Sequence, residues 1–274
     1  MRGQIKPNPA RQRQRNYSNM KWCHLNLSSP AEQLAADEVF LDGCENGHGE
    51  ETLLFWEPRE IFVVVGYANK VATEADVAAC AEKKVSIFRR CSGGGTVLQG
   101  PGGLNYSLIL RITGDGPLRS ITSANQFIME RNRAAIESIF PNSQLPSANC
   151  QISVLGHTDL ALATCHSPLV TSRKFSGNSQ RRKKNFLLFH GTFLLNFDLK
   201  LISQFLRQPS LQPEYRASRS HEDFLVNLNL PASQVKAALQ KTWNATEELQ
   251  NIPKQEIKRL AGGKYSTDAW NFKL

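Results

Sequence analysis

Three consecutive glycines, Gly93, Gly94 and Gly95, with an apolar run on either side, constrain this 274-residue chain more than any other feature. Lys84-Val85-Ser86-Ile87-Phe88 leads into them and Tyr106-Ser107-Leu108-Ile109-Leu110 follows, a pattern of strand, side-chain-free turn and strand. Without Cβ atoms the backbone of such a turn can approach a ligand closely. Arg89 and Arg90 stand immediately before it, and a guanidinium pairs with carboxylate or phosphate oxygens in a way a point charge cannot. The segment predicts an anionic ligand against the glycines, weighed against a Gly-rich turn that binds nothing.

The rest of the chain reads as alternating strands and helices. Ser29-Pro30-Ala31-Glu32 is a capping-box pattern with proline at the first helical position, and it predicts a helix to about Leu41. Strands are expected at 53–56, 61–65, 159–162, 169–170 and 186–197, and helices at 76–83, 123–140, 232–243 and 254–260. Strands before helices, with hairpins between them, predict an α+β fold: a mixed, mainly antiparallel sheet with packed helices. The expected organisation is a disordered basic leader over 1–18, a core domain over 19–200 and an extension over 201–274 that packs on the core.

Charge is concentrated at the start. The chain carries +9 at neutral pH, and Arg2, Lys6, Arg11, Arg13 and Arg15 account for five of those charges with no acid among them. That leader is too polar to pack, lacks the apolar core of a secretory signal, and reads as a plain extended N-terminus, with a transit peptide or nucleic-acid arm as alternatives. No stretch offers the roughly 18 apolar residues of a membrane span. Six scattered cysteines form neither a disulfide framework nor a C-x-x-C metal pair, so the expected setting is the cytoplasm, with no metal site.

Lys174 stands beside Arg173 and ahead of Arg181, Arg182, Lys183 and Lys184, a positive field suited to an acyl phosphate or carboxylate. For Arg181 to Lys184 a solvated loop is the plainer reading.

Two long stretches carry a resemblance. Arg89-Arg90-Cys91-Ser92-Gly93-Gly94-Gly95-Thr96-Val97, then Leu104-Asn105-Tyr106-Ser107, is followed by Arg173-Lys174-Phe175-Ser176-Gly177-Asn178-Ser179-Gln180 and Phe189-His190-Gly191-Thr192. In order and spacing they resemble the signatures of the lipoate–protein ligase and octanoyl transferase family, the lipoate branch of the biotin/lipoate protein ligase catalytic domain. The biotin branch's Gly-Arg-Gly-Arg pattern is absent from the turn. The resemblance implies an α+β fold and an enzyme that attaches a lipoyl or octanoyl group to a lysine of lipoyl-carrier domains. Those carriers would be 2-oxoacid dehydrogenase E2 subunits or glycine cleavage H protein.

By resemblance, Lys174 is the family lysine that contacts the carbonyl and phosphate of the activated acyl group. Arg89, Arg90, Ser92, Gly93, Gly94, Gly95 and Thr96 match the substrate-facing turn, and Asn105 and Tyr106 the strand after it. Asp159 matches the acid of an N-D-L stretch beside the nucleotide. Ser176 and Gly177 follow the lysine, and His190 and Gly191 match a strand at the back of the pocket. A lone histidine on an apolar strand also fits a hydrogen-bonded structural role. Gly66, Asn69 and Glu74 match a loop bordering the acyl tunnel, which the strands Val63 to Val65 and Leu108 to Leu110 would line.

Two mechanisms follow from the resemblance. The first uses ATP and Mg2+ to convert lipoate or octanoate into an acyl adenylate that the carrier lysine attacks. The second moves an octanoyl group between carriers through a cysteine thioester without ATP, with Cys150 or Cys165 as nucleophile. Cys91 reads as a small packing residue. Many family ligases have a histidine where this chain has Gln99. The basic run Arg181 to Lys184 and the stretch Tyr215 to His221 are expected to dock an acidic carrier. A nucleic-acid-binding protein is disfavoured, because it leaves the glycine turn unexplained.

Overall fold

The computed structural model describes residues 20–140, 150–164, 172–209 and 212–274. The basic leader, the strand expected at 169–170 and Cys165 lie outside those residues.

Helix α1 (Pro30–Glu45) begins where the capping pattern puts it: Ser29 accepts from the Glu32 amide, and the Glu32 carboxylate accepts from Ser28. It runs past the expected Leu41 because its face stays apolar, with Leu41 and Cys44 buried. Helix α4 (Ile121–Glu137) starts two residues before the expected point, at a Ser120–Ser123 capping box. Two short helices, α2 (Val71–Glu74) and α3 (Val77–Glu82), lie before the glycine turn.

Eight strands form the main sheet: β1 (Met20–His24), β2 (Thr52–Trp56), β6 (Gly103–Arg111), β7 (Cys150–Leu155), β8 (Asp159–Thr164), β9 (Arg173–Arg182), β10 (Phe186–Leu194) and β11 (Ala245–Glu248). Their order is β11-β1-β2-β6-β10-β9-β8-β7, parallel where β1 meets β2 and β11 and antiparallel elsewhere. A smaller sheet joins β3 (Phe62–Val65) to β4 (Ser86–Arg89) in parallel and to β5 (Val97–Gln99) in antiparallel. This is the mixed, mainly antiparallel α+β arrangement expected from the sequence.

The main sheet is covered on both faces, which explains why stretches of its inner strands, Leu108 to Leu110 of β6 and Phe186 to Phe189 of β10, are apolar on both sides. Along β10, Leu187, Phe189 and Phe193 pack with α4 and the helix Ala232–Trp243. The alternate residues Phe186 and Leu188 pack with α1. β6 divides the same way, Leu108 and Leu110 to one side and Ile109 to the other.

One expectation fails in part. A solvated loop was the plainer reading for Arg181 to Lys184, but Arg181 and Arg182 end the strand β9, and only Lys183 and Lys184 lie beyond it. Its hydrogen-bonded ladder with β10 reaches Leu187↔Arg182, so polar side chains ride on a central strand. Residues after 200 are woven into the rest. β11 pairs beside β1, the helix Ala232–Trp243 packs on α4, and the helix Lys254–Leu260 packs on α1. Among the described residues, no helix is long and apolar enough to cross a membrane.

Candidate active site

A cavity of about 740 Å3 opens where the glycine turn, the central strands and the 206–225 segment meet. Gly94, Gly95 and Thr96 form one edge, and Asn105, Tyr106, Asp159, Lys174, Ser176, Gly177, His190 and Gly191 form walls and floor. The sequence had singled out all of these. Arg90 also lines the cavity; Arg89, Ser92, Gly93 and Cys150 do not.

Both arginines of the turn donate to backbone carbonyls. Arg89 is fully buried, and its guanidinium donates to the carbonyls of Gly66, Tyr67, Asn69, Trp270 and Asn271. It ties Trp270 and Asn271 to the loop after β3 and does not line the cavity. Arg90 donates to the Gly93 carbonyl, to the Gly95 carbonyl at 2.7 Å and to Ser92 Oγ at 3.1 Å. It thus holds the turn from inside by its carbonyls. Burial lowers the Arg90 guanidinium to about 10, so it keeps its charge at neutral pH beside the cavity. Gly94 takes a left-handed φ of +85°. A Cβ on Gly66 would collide with the Gly94 carbonyl, so two backbone segments cross where only glycine fits.

His190 sits in a hydrogen-bonded chain in the cavity wall. Its Nδ1 lies 2.6 Å from Asp37 Oδ2, and its Nε2 lies 2.6 Å from Ser92 Oγ. Asp37 Oδ1 also accepts from Ser107 Oγ at 2.6 Å. The carboxylate can only accept, so Nδ1 carries the proton, and in the neutral ring Nε2 accepts from the Ser92 hydroxyl. This chain fastens α1, the glycine turn and β10 together. Asp37 was not found from the sequence, where it reads as one acid on an amphipathic helix. Its burial at 5% exposure is what marks it.

Other walls are built from polar pairs. Gln99 and Asn105 bond each other reciprocally at 2.9 Å, so Gln99 is tied into the cavity wall. Tyr106 donates to Asn178 Oδ1 at 2.6 Å and accepts from Asn132. A Cβ on Gly191 would strike that Asn178 side chain. Asn69 donates weakly to Thr96 Oγ1, and Glu74 is buried in α2 away from the cavity. The apolar lining departs from expectation. Val64 contributes, but Leu108 to Leu110 are core residues, and Leu34, Trp56, Leu98 and Ile202 take their place.

Lys174 is on β9, opposite Ala161 of β8. Its ammonium lies 2.8 Å from Asp159 Oδ1, and Asp159 Oδ2 accepts from the Tyr215 hydroxyl at 2.6 Å. The ammonium passes directly over Gly177, where a Cβ would stand 2.7 Å from Nζ. Lys174 is thus a one-quarter-exposed cation aimed into the cavity and held by one carboxylate oxygen.

Much of the basic rim expected to dock a carrier has partners within the chain, while Lys184 is exposed. Arg181 pairs with Glu38, Arg182 donates to the Leu118 carbonyl and Lys183 pairs with Asp42. Arg216 and His221 are buried, and Arg219 donates to the carbonyls of Ser172 and Tyr215. Cys150 heads β7 inside the main core. It is five residues from Leu155, the partner of Asp159, or about 16 Å along the strand. Burial raises the Cys91 thiol to about 11. No described cysteine lines the cavity. Among the described residues no group of three or more His, Cys, Asp or Glu is placed to hold a metal ion.

A family model for the lipoyl protein ligase A/B catalytic domain matches residues 29–243. The chain belongs to that family. Its members are ligases and transferases of acyl groups, and this chain is an enzyme of that type. An octanoyltransferase LipM of Geobacillus kaustophilus is 27% identical over 266 residues, covering 89% of this chain and 94% of the relative. Lipoate–protein ligase 1 of Staphylococcus aureus is 25% identical, covering 90% of this chain and 71% of the relative. The fold matches that of lipoate-protein ligase A bound with ATP, at a TM-score of 0.71 and 22% identity over 93% of this chain and 99% of the other. It also matches the bi-partite lipoate protein ligase of Thermoplasma acidophilum, solved in a study of that ligase and its E2 lipoyl domain, at a TM-score of 0.70 and 22% identity over 93% of this chain and 97% of the other.

Proposed function

We propose that this enzyme attaches a lipoyl or octanoyl group to a lysine of a lipoyl-carrier domain, such as a 2-oxoacid dehydrogenase E2 subunit or glycine cleavage H protein, through an acyl adenylate. The observation that carries this reading is the pairing of two cations, Lys174 and Arg90, with a glycine edge on one cavity that no described cysteine enters. The lining fits the substrates. Leu34, Trp56, Val64 and Leu98 offer apolar surface to a C8 chain, and the polar end of the cavity offers positive charge to its carboxylate.

With the carbonyls of Gly93 and Gly95 held by Arg90, the turn's amides are the groups left to meet a phosphate. In this reading ATP is a substrate and brings Mg2+ on its phosphates. Lys174 then holds the acyl carbonyl and stabilises the oxyanion that forms when the carrier lysine attacks. In this reading Asp159 keeps the ammonium in place and His190 braces the turn.

A second reading, octanoyl transfer between carriers through a cysteine thioester, is favoured by the octanoyltransferase names of relatives matched over almost their whole length. One experiment separates the two. A purified lipoyl-carrier domain is incubated with the enzyme and either lipoate or octanoate with Mg-ATP, or octanoyl-carrier protein without ATP, and its mass is measured. The adenylate reading expects an acyl mass shift that needs ATP, survives Cys150→Ser and Cys165→Ser, and disappears with Lys174→Ala. Acylation from the carrier alone, lost with either cysteine substitution, establishes the transferase; no shift under any condition refutes both.

A further inference from the structure

Asp159 is held from two sides by residues from two separate segments of the chain. Lys174 comes from the central strand β9, whereas Tyr215 comes from the segment that follows residue 206. Tyr215 is buried at 4% exposure, and its hydroxyl, whose ionisation burial makes harder, remains a donor. A carboxylate with one oxygen bound by a hydroxyl has the other left for the ammonium, in one orientation.

The segment carrying Tyr215 is firmly fastened. It makes a single 3-10 turn over Glu214–Arg216, followed by Ala217 and Ser218 with left-handed φ of +51° and +55°. Two adjacent non-glycine residues in that region are strained and persist only where the surroundings over-determine them. Those surroundings are visible. Arg216 and Arg219 both lie over the Phe224 ring, at 4.9 and 5.2 Å, and Tyr215 packs on the same ring. Arg219 donates to the carbonyls of Ser172, Tyr215 and, through Nε, Arg216. The Val226 amide then donates to the Lys174 carbonyl, so the segment is anchored on the very residue whose side chain it helps to orient.

We propose that Tyr215 is a positioning residue for Lys174: its hydroxyl pins Asp159 so that a single carboxylate oxygen fixes the ammonium over Gly177 inside the cavity. The proposal rests on the acyl-transfer reading above and extends it to a residue from the far part of the chain. It gives the 213–226 segment a role in the chemistry beyond covering the cavity.

The test uses the full chain with 15N-labelled lysine. The Lys174 ammonium resonance is assigned by its loss in Lys174→Arg, and carrier acylation is measured with whichever acyl donor the wild-type enzyme uses. Tyr215→Phe is expected to broaden or shift that resonance, to lower kcat roughly tenfold and to leave KM for the acyl donor within about twofold. Asp159→Asn is expected to reproduce the same pattern, which keeps the test decisive if Tyr215→Phe folds poorly. An unmoved resonance with wild-type kcat in Tyr215→Phe overturns the proposal. So does a fall in kcat with a matching rise in KM and an unmoved resonance, the mark of a merely structural role. A wild-type enzyme that acylates no carrier domain refutes the acyl-transfer reading instead, and the resonance alone then decides whether Tyr215 positions Lys174.

Discussion

Lys174 was legible because a lysine inside Lys-Phe-Ser-Gly resembles a family signature, but what makes it usable is the glycine three residues later. A methyl at Gly177 would meet Lys174 Nζ at 2.7 Å and Cε at 2.8 Å, the mobile end of a flexible side chain rather than backbone. Such a clash is relieved by moving the lysine, so the fold tolerates it and the chemistry does not. Gly177→Ala is expected to lower acyl transfer by about two orders of magnitude, comparable to the loss of one oxyanion donor, while the melting temperature stays within a few degrees. Parallel thermal unfolding and carrier acylation decide this; unchanged transfer would mean that the ammonium need not occupy its present position. Lys174→Ala sets the floor for the same assay, with transfer at or below the Gly177→Ala level. Asp37 escaped the sequence reading, and Tyr215 entered it only as part of a docking stretch, because nothing local distinguishes an acid or tyrosine in a cavity wall from a solvated one. Their roles come from partners 153 and 56 residues away in sequence, His190 and Asp159.

At the scale of elements, the glycine turn shows where sequence reasoning succeeded and where it stopped. Strand, turn and strand followed from apolar runs around Gly93 to Gly95, and the main helices followed from caps and periodicity. Strands β1, β5, β7, β9 and β11 were missed because they are short or their side chains are polar or mixed. β9 is fixed by its ladders to β8 and β10 rather than by local preference. The two arginines were read as ligand-binding because charge beside glycine invites that reading; only the carbonyl geometry shows Arg90 bracing the turn and Arg89 tying the loop after β3 to Trp270 and Asn271. Arg89 supplies the prediction. Its guanidinium satisfies five carbonyls, and a lysine ammonium, with three donors and no fork, cannot replace it. Arg89→Lys is expected to destabilise the protein by about 3 kcal/mol, which corresponds to a drop of roughly 10 °C in Tm for a chain of this size. A differential scanning measurement with a change under about 2 °C would show that those carbonyls find other partners.

Across the whole molecule, the chain's end is bound to its beginning through one carboxylate. Glu38 of α1 accepts from the Lys264 ammonium at 2.6 Å and the Tyr265 hydroxyl at 2.7 Å, and it pairs with Arg181 of β9 at 3.1 Å. Three separated parts of the sequence therefore meet on a residue at 6% exposure. The next turns of the chain reach Trp270 and Asn271, whose carbonyls cage Arg89, so the same join supports the glycine turn. Burial alone would raise the Glu38 carboxyl, but the hydrogen bonds from Lys264 and Tyr265, with the charges of Lys264 and Arg181, outweigh it and hold the carboxyl below its usual range. The folded state then binds this proton less readily than the unfolded chain. The stabilisation is fully present above the unfolded value, near 4.3, and fades as pH falls through the lower folded value. Glu38→Gln removes the charge and is expected to lower Tm most at pH 7. The gap between variant and wild type should narrow steadily below about pH 4, as the wild-type carboxyl takes up its proton. Thermal unfolding of both proteins from pH 7 to pH 3 tests this directly. A gap that stays constant over that range would show that the join depends on the shape and hydrogen bonds of the side chain rather than on its charge.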